Sequence, residues 1–128
     1  MRLALLPGRL TVARLPGTAP LPAWADGPGL VSITRREGEL SIVCADGRVP
    51  PDVRGERGWR ALEVAGPIDF QVVGLLHALT GPLARAGISV FAIATFDTDL
   101  LLVREATLSD AVKALREAGH RVDETPGA

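Results

Sequence analysis

Two aspartates, Asp97 and Asp99, are the only charged residues between Gly87 and Val103. They sit in the segment Thr95-Phe96-Asp97-Thr98-Asp99, flanked on both sides by apolar runs. A carboxylate placed there can receive an ammonium or a guanidinium. A plain hairpin tip accounts for the same residues, because turn aspartates commonly bond nearby backbone amides. A metal site would need more oxygen ligands than this stretch supplies. The sequence leaves the hairpin tip and the floor of a small-ligand site both open.

A second candidate is Asp69-Phe70-Gln71-Val72-Val73. Asp69 can be an ordinary helix N-cap. The unpaired amides of a helix start can equally attract a carboxylate or a phosphate. Ser89 is a small polar residue in an apolar strand, read as a satisfied buried hydroxyl unless that strand meets a partner subunit. His77 and His120 have no partner in view. Cys44 reads as a small buried hydrophobe, and Trp24 and Trp59 read as packing residues. Arg54, Arg57 and Arg60, with Glu56 and Glu63 among them, read as a solvated loop.

Other chemistries find no support. Cys44, His77 and His120 lack metal-ligand spacing, and there is no CxxC or HExxH. Neither a GxSxG elbow nor a phosphate-cradling glycine loop occurs. No catalysis is therefore expected, and no cofactor.

The elements that must position these residues follow from pattern. Trp59–Val64 alternates as a strand, and Ala65-Gly66-Pro67 breaks it. A helix is expected from about Phe70 to Ala86, with Val72, Leu76, Leu79, Leu83 and Ala86 on its buried stripe. Asp69 is placed to start it and Gly87 to stop it. Pro82 falls inside, leaving the carbonyl of Ala78 without its donor. Ile88–Thr95 reads as a strand buried on both faces. Leu100–Arg104 reads as its partner. Thr107 is placed to cap a second helix, with Asp110 three residues on. Leu108, Ala111, Val112, Leu115 and Ala118 would form its buried face. Gly119 stops it, and a last strand begins at His120.

The order is strand, helix, strand, strand, helix, strand. Leu83-Ala84-Arg85-Ala86-Gly87-Ile88 and Leu115-Arg116-Glu117-Ala118-Gly119-His120 repeat one helix-to-strand joint. This pattern predicts a ferredoxin-like sandwich with two helices on one face of a sheet. Upstream, Leu10–Leu15 reads as a strand, and residues 16–29 as a loop with one helical turn near Leu21 to Ala25. Gly29–Arg35 and Glu39–Ala45 read as a hairpin across Arg36-Glu37-Gly38. The N-terminal half thus looks like a reduced copy of the other, without its second helix.

Composition sets the frame. The chain has 128 residues, 47% hydrophobic and 23% charged, enough for one domain or two very small ones. A formal net charge of -1 gives no pull toward nucleic acid or an anionic membrane. A single cysteine forbids an internal disulfide and suits a reducing cytosol. The opening Met1–Gly8 is too short and too soon broken for a signal peptide, and no stretch nears the roughly 18 apolar residues of a membrane span. A soluble cytosolic protein is expected, with no nucleic-acid or membrane partner.

Ile88-Ser89-Val90-Phe91-Ala92-Ile93-Ala94-Thr95-Phe96-Asp97-Thr98-Asp99, followed by Leu101-Leu102-Val103-Arg104-Glu105, resembles ACT-domain proteins of the type that includes the animal cytosolic arginine sensors and small bacterial relatives. Ser41–Cys44, Val49-Pro50, Arg57–Arg60 and Gly66–Phe70 resemble the bacterial members. The resemblance implies an α+β fold of two tandem ferredoxin-like βαββαβ units, the first degenerate, with a boundary between residues 1–58 and 59–124. It implies non-catalytic binding of a free amino acid between ACT units, and a homodimer. Carried over by position, one wall of the site would be Asp69, Phe70, Gln71, Val72 and Val73. Thr95, Phe96 and Asp99 would complete that wall, and Ser89 and Val90 would come from the facing unit. Asp69 and Gln71 stand where the arginine sensors carry a glycine and an acidic residue, so the identity of the amino acid stays open. The alternative is an interaction module with a vestigial pocket, acting through dimerisation or an unidentified downstream protein.

Overall fold

The computed structural model describes residues 1–65 and 73–125. Two compact units emerge, Gly8–Trp59 and a second made of Met1–Pro7 with Arg60–Ala128. Both follow the strand order of the ferredoxin-like fold, the second with one extra strand inserted.

The first unit is built from β2 (Leu10–Leu15), β3 (Ser32–Arg36), β4 (Glu39–Ala45) and the first half of β5 (Gly55–Val64), after a short strand β1 (Arg2–Leu5) that belongs to the other unit. Its sheet runs β3-β4-β2-β5, antiparallel throughout. Single 3-10 turns, Ala23–Ala25 and Asp46–Arg48, occupy both places where the fold would carry helices. Sequence reading removes only the second helix; the structure reduces both. The hairpin is tighter than read, with Arg36 paired to Glu39 across Glu37-Gly38. Gly38 takes φ 88, which glycine reaches without cost. Ala13, Ala25, Leu40, Ile42, Cys44 and Val49 form the core.

The second unit follows β5-α1-β6-β7-α2-β8, with α1 Leu75–Arg85, β6 Phe91–Ala94, β7 Asp99–Arg104, α2 Leu108–Glu117 and β8 Arg121–Asp123. Here β5 lies beside β7, and β6 lies outside β7. In the standard arrangement β8 would close against β5. Instead β1 lies between them, antiparallel to β5 and parallel to β8. Sequence reading leaves residues 2–5 unassigned, since so short a run carries no period of its own. Leu3 and Leu5 nevertheless join Leu62, Val64, Leu101 and Val103 in one core under the helices.

The buried face of α2 is the predicted one save Ala118, whereas α1 keeps Leu79 and Leu83 of its predicted stripe and exchanges its other described members. Among the described residues α1 starts at Leu75, after Gly74 at φ 80; the predicted start at Phe70 and the stripe residue Val72 lie outside the described residues. Leu75, Leu79, Pro82 and Leu83 face inward, while Leu76 and Ala86 are exposed. Consecutive leucines at 75 and 76 permit either stripe, and the start of the helix decides. Each buried leucine contributes roughly 1.5–3 kcal/mol. In α2, Ala111, Val112 and Leu115 are buried, with Leu108 and Ala114 packed alongside; Ala118 is exposed. Thr107 does not cap, because its hydroxyl donates to the Arg104 carbonyl at 3.0 Å.

Both helices end in the same way, as the repeated joint predicts. Gly87 N–H donates to Ala84 O and Ile88 N–H to Leu83 O; Gly119 N–H donates to Arg116 O and His120 N–H to Leu115 O. These are two Schellman motifs, with glycine at φ 75 and φ 95.

Candidate functional site

The two-stranded pair β6-β7 carries the turn. Ala94 faces Asp99 in the ladder, so Thr95–Thr98 forms the loop. Threonines hold it closed. Thr95 N–H and Thr95 Oγ1 both donate to Thr98 O, at 2.8 and 2.9 Å, and Thr98 N–H donates back to Thr95 Oγ1 at 3.2 Å. The Thr98 hydroxyl also donates to the carbonyl of Val64. That bond pins the turn to the end of β5, where the chain departs toward α1.

The aspartates take no part in this bracing. Among the described residues neither the Asp97 nor the Asp99 carboxylate has a hydrogen-bond or ion-pair partner. Asp97 is exposed and Asp99 half-buried. The segment is a hairpin tip, but its amide bonds come from the threonines and not the aspartates, because the threonine hydroxyls reach across the loop. Two unneutralised carboxylates remain at one turn, able to receive a cationic group. Thr98 is a residue that sequence reasoning missed. The only signal for it is the Thr-x-x-Thr bracket, and its tertiary partner at Val64 is invisible in sequence.

Of the predicted helix-start wall, Asp69, Phe70, Gln71 and Val72 lie outside the described residues. Val73 is 95% exposed. Gly74 makes no side-chain cap, and no acidic residue stands in the first turn of α1. Among the described residues nothing caps the first amides of that helix, which carry the electropositive character of a helix start.

Ser89 is exposed, which corrects its reading as a buried hydroxyl; Val90 is half-buried against the core. The strand itself is shorter than predicted, and it is not buried on both faces. Ala92 and Ala94 are exposed while Phe91 and Ile93 are partly covered. Among the described residues β6 pairs only with β7 and so forms an edge. Fully two-sided burial falls to the interior strand β7, where Leu100–Val103 are all buried. Ser89 and the turn lie toward opposite ends of β6. At about 3.3 Å per residue they are some 20 Å apart. One chain therefore brings Thr95, Phe96, Asp97 and Asp99 together and leaves Ser89 and Val90 apart from them. Phe96 stands 79% exposed at the tip.

The remaining polar residues serve the fold. Arg57 donates to the carbonyls of Val49, Pro50 and Val53, so it clamps a loop and is not merely solvated. Cys44 is buried in β4, and burial pushes its thiol up against a weaker opposing pull from Arg48. His120 Nε2 lies 3.0 Å from Ala78 O, the carbonyl that Pro82 deprives of its helical donor. Among the described residues no group of three His, Cys, Asp or Glu side chains could hold a metal ion. No helix among them is long and apolar enough to cross a membrane.

Comparison with known proteins gives consistent matches. A family model for the ACT domain matches residues 54–117. A second model, for an N-terminal domain, matches residues 8–52. A crystal structure of an Agobacterium tumefaciens protein is 43% identical, with TM-score 0.92, covering 97% of this chain and 92% of that one. The Bos taurus cytosolic arginine sensor for mTORC1 subunit 1 is 33% identical over 111 residues, which are 76% of this chain and 33% of that protein. The chain thus spans about a third of the length of the first curated relatives it matches. The regulatory subunit of aspartate kinase from Thermus flavus shares the fold at 12% identity and TM-score 0.60, covering 91% of this chain and 95% of that one.

Proposed function

Since the chain belongs to the ACT-domain family, we propose that it is a non-catalytic regulatory module, acting in the cytosol, that binds a free amino acid. The observation that carries this reading is the pair of unneutralised carboxylates on a turn pinned to the end of β5. Asp99 receives the ligand ammonium, and Thr95 and Phe96 flank it. The ligand carboxylate lies against the segment Asp69, Phe70, Gln71, Val72 and Val73 and the first amides of α1 that follow it, since helix-start amides favour an anion. An arginine sensor among the relatives supports an amino acid as the ligand class.

The uncharged edge of β6 supports a site completed by a second copy. Edge strands are normally guarded by charge or proline. β3 carries Arg35 and Arg36 and β8 carries Arg121 and Asp123, whereas residues 88–96 carry no charge. Two β6 strands paired antiparallel about a two-fold between Ala92 and Ile93 place Val90 of the second copy opposite Thr95. The same register sets its Ser89 opposite Phe96. A homodimer thereby supplies the two predicted residues that one chain leaves distant.

Charge-assisted bonds contribute about 1.5–3 kcal/mol each. Three of them with some apolar burial reach the roughly -8 kcal/mol of micromolar binding. A thermal-shift screen of free amino acids, followed by calorimetry, tests the reading. At least one amino acid is expected to raise the melting temperature, and Asp99→Ala to weaken its binding about tenfold or more with the fold retained. Ser89→Arg is expected to lower both the solution mass and the affinity. If no amino acid shifts the melt, or if Asp99→Ala binds unchanged, the sensor reading fails and an interaction module remains.

A further inference from the structure

A groove of about 330 Å³ lies between the C-terminal ends of α1 and α2. It is lined by Pro82, Arg85 and Ala86 from α1 and by Ala114, Glu117 and Ala118 from α2. Pro82 and Ala114 are its more buried members and make the floor, while Ala86 and Ala118 are exposed at the rims. At 1.5 Å per residue the groove lies about 15 Å along α1 from that helix's start. Ligand pockets run from about 300 to 1,000 Å³, so this groove suits a small molecule only. Its apolar lining is methyl groups and one proline ring, which accept a short carbon chain and offer no deep seat for a large side chain.

The charges give the groove a polarity. Arg85 stands on one wall and Glu117 on the other, both exposed. Among the described residues Arg85 has no ion-pair or hydrogen-bond partner, and the two charges do not meet. The Arg85 guanidinium rests over Gly81, where an added Cβ would lie 3.4 Å from Nη1. The missing side chain of Gly81 thus leaves space for that cation within one helical turn of the groove.

Glu117 works against its own helix. The last turn favours a cation over an anion. The only ion-pair partner of Glu117 among the described residues is Lys113, at 4.0 Å, with lysine preceding glutamate in the weaker of the two orders. An exposed pair of that kind contributes little. The helix gains nothing from an acid here that alanine would not supply better, whereas a groove that receives a cation needs one.

We propose that this groove is a second small-ligand site and that it takes a small zwitterion. The ligand carboxylate meets Arg85, its ammonium meets Glu117, and its short carbon chain crosses Pro82 and Ala114. A molecule with a single charge satisfies one wall; a zwitterion satisfies both. The exposure of both walls limits the affinity to about the millimolar range. The site is separate from the turn and does not rest on the role given to Asp99.

The test is a nitrogen-15 NMR titration of the Asp99→Ala variant, in which the turn is silenced. Glycine, β-alanine and γ-aminobutyrate serve as probes of increasing charge separation. At least one should shift the amides of Ala86, Gly87, Ala118 and Gly119 along a saturable curve. Acetate and methylammonium, each with one of the two charges, should fail to saturate them at the same concentrations. Arg85→Gln and Glu117→Gln should each weaken the binding about tenfold. Their thermal melts should match the parent, so loss of fold is separately visible. No saturable shift with any probe would overturn the proposal, as would equal shifts by either single ion, or unchanged affinity in the glutamine variants. Shifts that follow protein dilution rather than the probe would give the groove to a second copy and overturn it likewise. Binding to the parent chain that Asp99→Ala abolishes and Arg85→Gln spares belongs to the turn, so the two readings fail independently.

Discussion

The bond from His120 to Ala78 can be weighed with a double-mutant cycle. Pro82 has no N–H, so the carbonyl of Ala78 lacks the donor that a regular helix supplies from four residues on. His120 Nε2 lies 3.0 Å from that carbonyl. A carbonyl can only accept, so Nε2 must carry the hydrogen and donate. The bond lies near solvent, which limits its net value to about 1 kcal/mol. His120→Ala should therefore cost about 1 kcal/mol in the parent. In a Pro82→Ala background residue 82 regains its amide, and that amide can take the Ala78 carbonyl. There the histidine becomes redundant, and its removal should cost close to nothing from this bond. The coupling between the two sites should be about 1 kcal/mol. The packing lost with the buried Pro82 ring cancels in the cycle, as does the 3.1 Å contact of His120 Nδ1 with the Met1 nitrogen. Urea unfolding, followed by a probe in the C-terminal unit, measures all four variants. A coupling of about 1 kcal/mol corresponds to roughly 4 °C in melting temperature for a chain of this size. Equal costs of His120→Ala in the two backgrounds would refute the idea that the imidazole replaces the missing amide.

Three further outcomes follow from geometry. Thr98→Val should destabilise the fold by about 1–3 kcal/mol, because Val64 keeps a carbonyl without its donor; hydrogen exchange should show faster opening of β6 and β7 and little change in β2–β4. Gly87→Ala should cost about 1 kcal/mol from backbone strain alone, since φ is 75 and an added Cβ meets nothing within 4 Å; chemical denaturation measures it, and a neutral effect would contradict the Schellman assignment. Burial holds the Cys44 thiol above its ordinary value of 9.0. The unfolded chain therefore releases its proton first, so this contribution to stability is complete below pH 9 and is lost as pH rises through the folded value. Cys44→Ala should flatten the alkaline limb of a stability-versus-pH curve; an unchanged limb would argue against burial as the cause.

Local signals proved readable where one residue type has one mechanical use. Gly87 and Gly119 stop their helices because each takes the left-handed position. Leu10–Leu15 is a strand with the bounds expected, between the turn at Pro7-Gly8 and the break at Pro16-Gly17. Apolar content alone was a poor guide to burial. Residues 88–95 look like an interior strand because they lack charge, yet β6 is an edge and the interior position belongs to β7. Nothing within a strand records whether it has one neighbour or two. The buried stripe of α1 shifted for a related reason: two adjacent leucines support two phases, and no cap among the described residues selects between them. At the turn, the bracing belongs to Thr95 and Thr98 and not to the aspartates that stand out in the sequence. Asp97 and Thr98 both favour turns, and only the position of the Val64 carbonyl distinguishes their roles.

The N-terminal unit shows how a ferredoxin-like sheet can persist without its helices. Its strand order is that of the C-terminal unit without the inserted β1, although single turns stand in both helical places. A loop in such a place leaves backbone carbonyls that a helix would have paired internally. Arginines take up several of them. Arg48 donates to Trp24 O and Pro28 O, Arg35 to Gly17 O, Arg14 to Gly38 O, and Arg57 to three carbonyls of residues 49–53. Gly27 makes room for one of these, since a Cβ there would come within 2.8 Å of the Arg48 guanidinium carbon. A guanidinium presents five donors on a rigid plane and can serve two or three carbonyls at once; an ammonium concentrates its donors at one point. Lys113 is the only lysine in the chain. The preference for arginine thus has a mechanical consequence in this unit whatever its origin: it lets irregular backbone satisfy its hydrogen bonds through side chains anchored on the sheet. Arg48→Lys should test that reasoning, because it preserves the charge yet removes the fork that joins Trp24 to Pro28. If unfolding shows it as stable as the parent, charge rather than shape holds the loop.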